Sequence, residues 1–183
     1  MSGHTPKYPS ELEERIEHHG RALLLRPIRP DDAAGHRRFL ARVSPEDLRT
    51  RFLAAVHELP EPELAHFTHI DYEREMAFIA VAAAGAEAGE ILGVARACAG
   101  PDNSAAEFAV LVRSDLKDQG LGTLLMRKLI GYCRDHGTRE LWGSVLTDNA
   151  AMLHLAEKLG FRIRRRELNV AEVVLALRAP ARA

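Results

Sequence analysis

The sequence predicts one mixed α/β (α+β) domain, a central and mostly antiparallel sheet flanked by helices. Three observations carry this. Helix punctuation crowds the early part of the chain. Three apolar runs, "EMAFIAVAAA", "EILGVARACA" and "AAEFAVLVR", then follow one another across "GAEAG" and "GPDNS", which are turn composition and read as a meander. The remainder alternates helical and strand periods.

The elements follow in order. Residues 1–20 are polar and read as a flexible, irregular lead with at most one short paired segment near Tyr8. The domain proper spans residues 21–177. "RALLLRPI" is a first strand, ended by Pro27 and Pro30, because proline breaks a ladder. "RPDDAAGHRRFLARV" is a helix with Asp31 or Asp32 placed to cap it. "SPEDLRTRFLAAV" is a second helix: Ser44 is the N-cap, Pro45 opens the first turn and Asp47 stands three residues after the serine. "PEPELAHFTHI" adds a short helix. After the meander, "GTLLMRKLIGYCRDHG" places Leu125, Leu129, Ile130 and Cys133 on one helical face and stops at Gly137. "RELWGSVL" is a strand, "NAAMLHLAEKLG" a helix running from an Asn149 cap to Gly160, and "FRIRRRELNVAEVVLAL" two strands or one hairpin. The tail, residues 178–183, is expected to fray.

Composition removes several classes of function. With 183 residues the chain buries a core without staples. Basic and acidic residues number 25 and 26, so no global charge draws it to nucleic acid. Cys98 and Cys133 are too few for a disulfide framework and lack metal-ligand spacing, and they read as small buried apolar residues in a reducing compartment. No apolar leader opens the sequence and no apolar run approaches the ~20 residues of a membrane span. The expectation is a cytoplasmic protein with no metal and no membrane or nucleic-acid partner, either monomer or homodimer.

The stretch "LVRSDLKDQGLGTLL" joins a strand to a helix through Gly120 and Gly122, although each glycine costs roughly 1 kcal/mol against alanine in a helix. Bare backbone at a helix start leaves N–H groups that suit a phosphate. A Walker A loop is excluded, since "GLGTLLM" has no Lys-Ser/Thr. A dinucleotide fingerprint fits poorly: Leu125 stands where a third glycine is needed, and too little chain follows for such a sheet.

Strand "AEFAVLV", loop "LKDQGLG", the helix after it, strand "RELWGSVL" and "NAAMLHLAEKLGF" together resemble the GNAT superfamily of acyl-CoA-dependent N-acyltransferases. Its Gln/Arg-x-x-Gly-x-Gly/Ala signature falls on Lys117, Gly120 and Gly122, and its later motif on Asn149 and on Lys158 to Phe161. "YPSELEERI", "LRPIRPDD", "SPEDLRTRF", "IDYEREMAFIAV" and "EILGVARA" are similar to the catalytic domain of Pat-type bacterial protein lysine acetyltransferases. The likeness covers residues 21–167. It implies a GNAT fold in which the strand of residues 107–113 splays from "RELWGSVL" to hold acetyl-CoA. Backbone groups near Leu111 and Val112 would pair with the pantetheine arm. An amide at Val110 or Leu111 would polarise the thioester carbonyl. The amides of Lys117, Asp118, Gln119, Gly120, Leu121, Gly122 and Thr123 would hold the pyrophosphate. Asn149 is either a plain helix cap or a cap that also touches pantetheine. Two departures stand out: Lys117 replaces Gln/Arg, and Ala156 occupies the position of a tyrosine acid.

Acyl transfer needs a neutral amine, and neutralising a lysine at pH 7 costs ~4.6 kcal/mol. Glu107 is the candidate base. It shares a strand face with Ala109 and Leu111, where a charge is out of place. It acts directly if burial tunes it, or through a water. The plainer reading is a half-exposed glutamate at a strand start, and the resemblance favours the base. The implied reaction is acetyl transfer to a protein lysine, with an AMP-forming acyl-CoA synthetase as partner and target. The rivals are a small-amine acetyltransferase and a non-catalytic acyl-CoA sensor. His66 and His69, the run Arg162, Arg164, Arg165 and Arg166, and a solvent-facing His154 read as surface or packing features. The cluster Asp71, Glu73 and Glu75 is either solvated or an attractor for a basic target surface.

Overall fold

The computed structural model describes residues 6–53 and 60–177. The strands are β1 (Glu14–His18), β2 (Arg21–Pro27), β3 (Glu75–Ala82), β4 (Ile91–Ala99), β5 (Ala105–Val112), β6 (Glu140–Leu146), β7 (Arg162–Glu167) and β8 (Val170–Ala176). They form one sheet in the order β1-β2-β3-β4-β5-β6-β8-β7. Every neighbouring pair is antiparallel except β5 and β6. The helices are α1 (Ala33–Ala41), α2 (Pro45–Phe52), α3 (Glu61–Thr68), α4 (Leu121–Asp135) and α5 (Ala150–Lys158). α4 is the crossover that a parallel pair requires. This is the mixed, helix-flanked sheet that the sequence predicts. No helix among the described residues is long and apolar enough to cross a membrane.

Period-two alternation divides the core. On β3, Met76, Phe78 and Ala80 pack with Leu125 and Leu129 of α4, while Ala77, Ile79 and Val81 pack with Phe39 of α1. A strand covered on both faces reads as an unbroken apolar run, which is why "EMAFIAVAAA" lacks polar alternation. Burying each Leu, Ile or Phe contributes about 1.5–3 kcal/mol before entropy is counted.

Two local expectations change. The lead is not irregular throughout: Glu14–His18 pairs with β2 as an edge strand. His19 and Gly20, at φ 50° and 73°, make the two-residue left-handed turn that hairpins favour, and Ile16 packs on the core. Asp32 does stand at the start of α1, but its carboxylate does not cap the helix. It accepts both Nη groups of buried Arg26 and the Arg29 amide, each at 2.7 Å, because a buried guanidinium needs a counter-charge. Ser44 caps α2 as expected, accepting the Asp47 amide at 3.1 Å. Residues 1–5 of the lead, the end of "SPEDLRTRFLAAV" beyond Leu53 and the tail of residues 178–183 lie outside the described residues.

Candidate active site

The site begins where two strands part. β5 pairs with β6 only at Ala105, Ala106 and Glu107, while its other edge stays paired with β4 through Val112. At the divergence the ring of Phe108 lies on Gly143, where a Cβ would come within 2.7 Å of the ring. The ring also packs on Phe161, with centroids 4.8 Å apart. An aromatic wedge against a bare Cα thus stands at the root of the splay. The Arg113 amide donates to the Leu92 carbonyl at 2.9 Å. Amides alternate along a strand, so those of Leu111, Ala109 and Glu107 also face β4. Those of Val110 and Val112 face the unpaired edge.

That edge opens into a cleft of about 490 Å³. The cleft floor is the start of α4. Gly120 precedes the helix at φ 78°, a left-handed conformation that glycine adopts without a Cβ penalty. The first turn of the ladder closes with Leu124 donating to Gly120 at 3.0 Å, so the amides of Leu121, Gly122 and Thr123 have no intrahelical carbonyl. With the helix dipole they suit a phosphate. A Cβ at Gly122 would meet only ordinary contacts at 3.5 and 3.6 Å, so nothing inside the protein forbids a side chain there; its absence keeps the cleft open.

The structure brings Glu107, Val110, Leu111, Val112, Lys117, Asp118, Gly120, Leu121, Gly122, Thr123 and Asn149 to this one cleft. Gln119 is the exception: it is not in the lining, and its carbonyl meets His18 Nε2 of β1 at 2.6 Å. Lys117 does not stand free for a phosphate. Its Nζ lies 2.6 Å from the Asp47 carboxylate, which also accepts the hydroxyls of Ser114 at 2.5 Å and Ser44 at 2.9 Å. Burial pushes the Asp47 carboxyl up, but the bonds from Lys117, Ser114 and Ser44 outweigh it and hold the pKa below the ordinary range. α2 is thereby tied to the phosphate loop. Asn149 caps α5 by accepting the Met152 amide at 3.1 Å and lines the cleft as well. Ala156 is buried in the core. His154 is exposed and lines the cleft.

The other end of the cleft carries Glu107, exposed rather than buried. Cys98 is its direct cross-strand partner and Arg96 is that of Ala109, so all share the face with Leu111. Cys98 is half-buried in the cleft wall, not in the core as expected. Burial raises its thiol, and Glu75 adds to the effect; it is a protonated neighbour rather than a nucleophile. Arg51 of α2 completes this wall. Burial and the like charge of Arg96 pull its guanidinium down to about 10, against Cys98 and Glu107, so it remains charged at neutral pH.

Several of the remaining conspicuous residues have local partners. His69 Nδ1 lies 2.9 Å from the Ala65 carbonyl and His66 lies 3.9 Å from Glu75. Among the described residues no group of three or more His, Cys, Asp or Glu is arranged to hold a metal. Arg164 pairs with Glu140 and Glu172, and Arg165 with Glu167. Asp71 accepts the amides of Glu73, Arg74 and Glu75, a turn cap rather than a free attractor. The arginines Arg51 and Arg96 escaped the sequence reading. The one signal was a charge at an alternating position of "EILGVARACA".

A splayed strand edge over a helix start, with a carboxylate at the fork, suits a ligand that is strand-like at one end and phosphorylated at the other. Comparison with known proteins gives the family. The model of the acetyltransferase (GNAT) family matches residues 44–161. The acetyltransferase PA5475 of Pseudomonas aeruginosa is 35% identical over 142 residues, covering 78% of this chain and 76% of that protein. The acetyltransferase Pat of Mycolicibacterium smegmatis is 31% identical over 152 residues, 82% of this chain and 44% of Pat, so the chain spans less than half of Pat's length. The crystal structure of the GNAT domain of S. lividans PAT superposes with a TM-score of 0.84 at 26% identity, covering 93% of this chain and 100% of that one. The chain belongs to the GNAT family of acetyltransferases, and its catalytic domain is PAT-like.

Proposed function

We propose that this acetyl-CoA-dependent enzyme acetylates the ε-amine of a protein lysine, with Glu107 as general base, and that its target is an AMP-forming acyl-CoA synthetase. The observation that carries the assignment of Glu107 is its place at the fork of β5 and β6, on the cleft wall one residue from the unpaired edge. The likeness to Pat and to the PAT domain supports a protein acceptor.

The residues divide the work as follows. The amides of Leu121, Gly122 and Thr123 bind the pyrophosphate, and Lys117 adds a cation if Asp47 releases it. The unpaired edge of β5 aligns the pantetheine, and Asn149 borders it. Acetyl-CoA supplies the acetyl thioester. The Val110 amide points along the free edge and donates to the thioester carbonyl as charge develops on oxygen. Glu107, exposed in the cleft, takes the amine's proton through a water or directly. The amine nitrogen bonds to the acetyl carbon and releases its second proton to solvent, the C–S bond breaks, and the thiolate takes a proton from solvent, since Ala156 offers none.

The test is acetyl transfer to a purified AMP-forming acetyl-CoA synthetase, read by mass spectrometry, for wild type and Glu107→Gln, with acetyl-CoA affinity measured on both. Lysine acetylation by wild type, reduced 10²–10⁴-fold in the variant with affinity retained, is expected. Full activity in Glu107→Gln refutes the base. Binding without transfer to the synthetase refutes the acceptor.

A further inference from the structure

The cofactor loop accounts for one end of the cleft. At the other, α2 and β4 bring two guanidinium groups to the wall that carries Glu107. Arg96 is buried, 3.6 Å from the Glu75 carboxylate, and donates to the Phe67 carbonyl. Its charge is answered inside the protein. That of Arg51 is not. Its guanidinium lies over the Phe52 ring, 4.9 Å from the centroid, and among the described residues it has neither a hydrogen bond nor a carboxylate partner.

An arginine lining a cleft with no acceptor is a fork of donors held ready for an anion, and a carboxylate matches it in a bidentate manner.

We infer that Arg51 is a specificity residue that binds a carboxylate carried by the acceptor beside its reactive amine. Resting on the lysine reading above, this narrows the target to a lysine flanked by an aspartate or glutamate. Of the acidic cluster, Asp71 and Glu75 are engaged within the protein.

The test compares three acceptors with the full chain and acetyl-CoA: N-acetyl-Asp-Lys-amide, N-acetyl-Asn-Lys-amide and lysine as the free acid. Wild type, Arg51→Gln and Arg51→Lys are measured in parallel. The aspartyl peptide is expected to exceed the asparaginyl one by about tenfold in kcat/KM, mostly through KM, as one charge-assisted hydrogen bond allows. Arg51→Gln levels the two, Arg51→Lys restores part of the difference, and acetyl-CoA affinity stays constant across the three proteins. Equal rates in wild type, or a preference that survives Arg51→Gln, overturn the inference. A preference for free lysine that Arg51→Gln abolishes keeps the carboxylate contact and overturns the protein source. If no acceptor is acetylated, the lysine reading fails by itself. Calorimetry of both peptides with the CoA-loaded protein then decides: aspartyl binding lost in Arg51→Gln supports the subsite, and equal binding refutes it.

Discussion

Acid should loosen the wall behind the acceptor end, and His36 is the reason. Its side chain is 4% exposed, packed 5.9 Å from the Phe39 ring and 5.8 Å from that of Phe67. Its Nδ1 has no partner. Burial first, then the charge of Arg96, partly offset by Asp32 and joined by a smaller push from Arg51, lower its pKa from 6.5 to about 4. Because the folded value lies below the unfolded one, the unfolded chain takes the proton first. Stability is complete above the unfolded pKa and is lost as pH falls from 6.5 toward about 4. At about 1.4 kcal/mol per pH unit the whole effect is about 3 kcal/mol, roughly 2 of it by pH 5. Urea unfolding at pH 7.5 and 5.0, on wild type and His36→Leu, measures it. Wild type should lose about 2 kcal/mol more than the variant over that interval. Parallel losses would show that the imidazole titrates without penalty and refute the argument.

Two further outcomes follow from the geometry. Gly143→Ala drives a methyl into the Phe108 ring, 2.7 Å from its nearest atom, and should cost about 1–3 kcal/mol and weaken acetyl-CoA binding; Phe108→Leu added to it should recover stability in thermal denaturation, and an undisturbed single variant would show the wedge to be free to move. Asp47→Ala should lose about 1–2 kcal/mol by removing the acceptor shared by Lys117, Ser114 and Ser44. Since its folded pKa is depressed, the wild-type advantage is present above the ordinary 3.8 and vanishes as pH falls below it; an advantage unchanged at low pH in urea titrations would argue against the ion pair.

Most of the fold is written in local pattern. Ser44 and Pro45 mark a helix start by local chemistry, the Ser44 hydroxyl accepting the Asp47 amide, and the three apolar runs fit a buried meander. Where reading failed, the missing information was non-local. Asp32 has the residue type and position of a cap, but the demand of Arg26 for a counter-charge becomes visible only once β2 is folded beside it. The edge strand at Glu14–His18 was present as the two-residue His19-Gly20 loop, but its polar partners hid it. Its single apolar contact through Ile16 is weak evidence in a sequence and sufficient in a sheet.

The site divides along the same line. Its proposed phosphate end lies within one stretch, Lys117 to Thr123, where the free amides of Leu121, Gly122 and Thr123 follow Gly120, so glycine spacing exposes it. Its acceptor end is assembled from side chains of α2, β4 and β5, and no spacing rule connects them. What the sequence does show is a set of misfits: Glu107 on an apolar face, and Arg96 within an apolar run. Arg96 is unfavourable by itself, because a charge on a buried strand face loses solvation, whereas Glu107 stands exposed in the cleft. Together they are consistent, since Glu75 neutralises Arg96, and Glu107 and Arg51 share an open cleft. The charge left over is that of Arg51, whose guanidinium has no hydrogen bond or carboxylate partner among the described residues, and it is there that the inferred ligand carboxylate would belong.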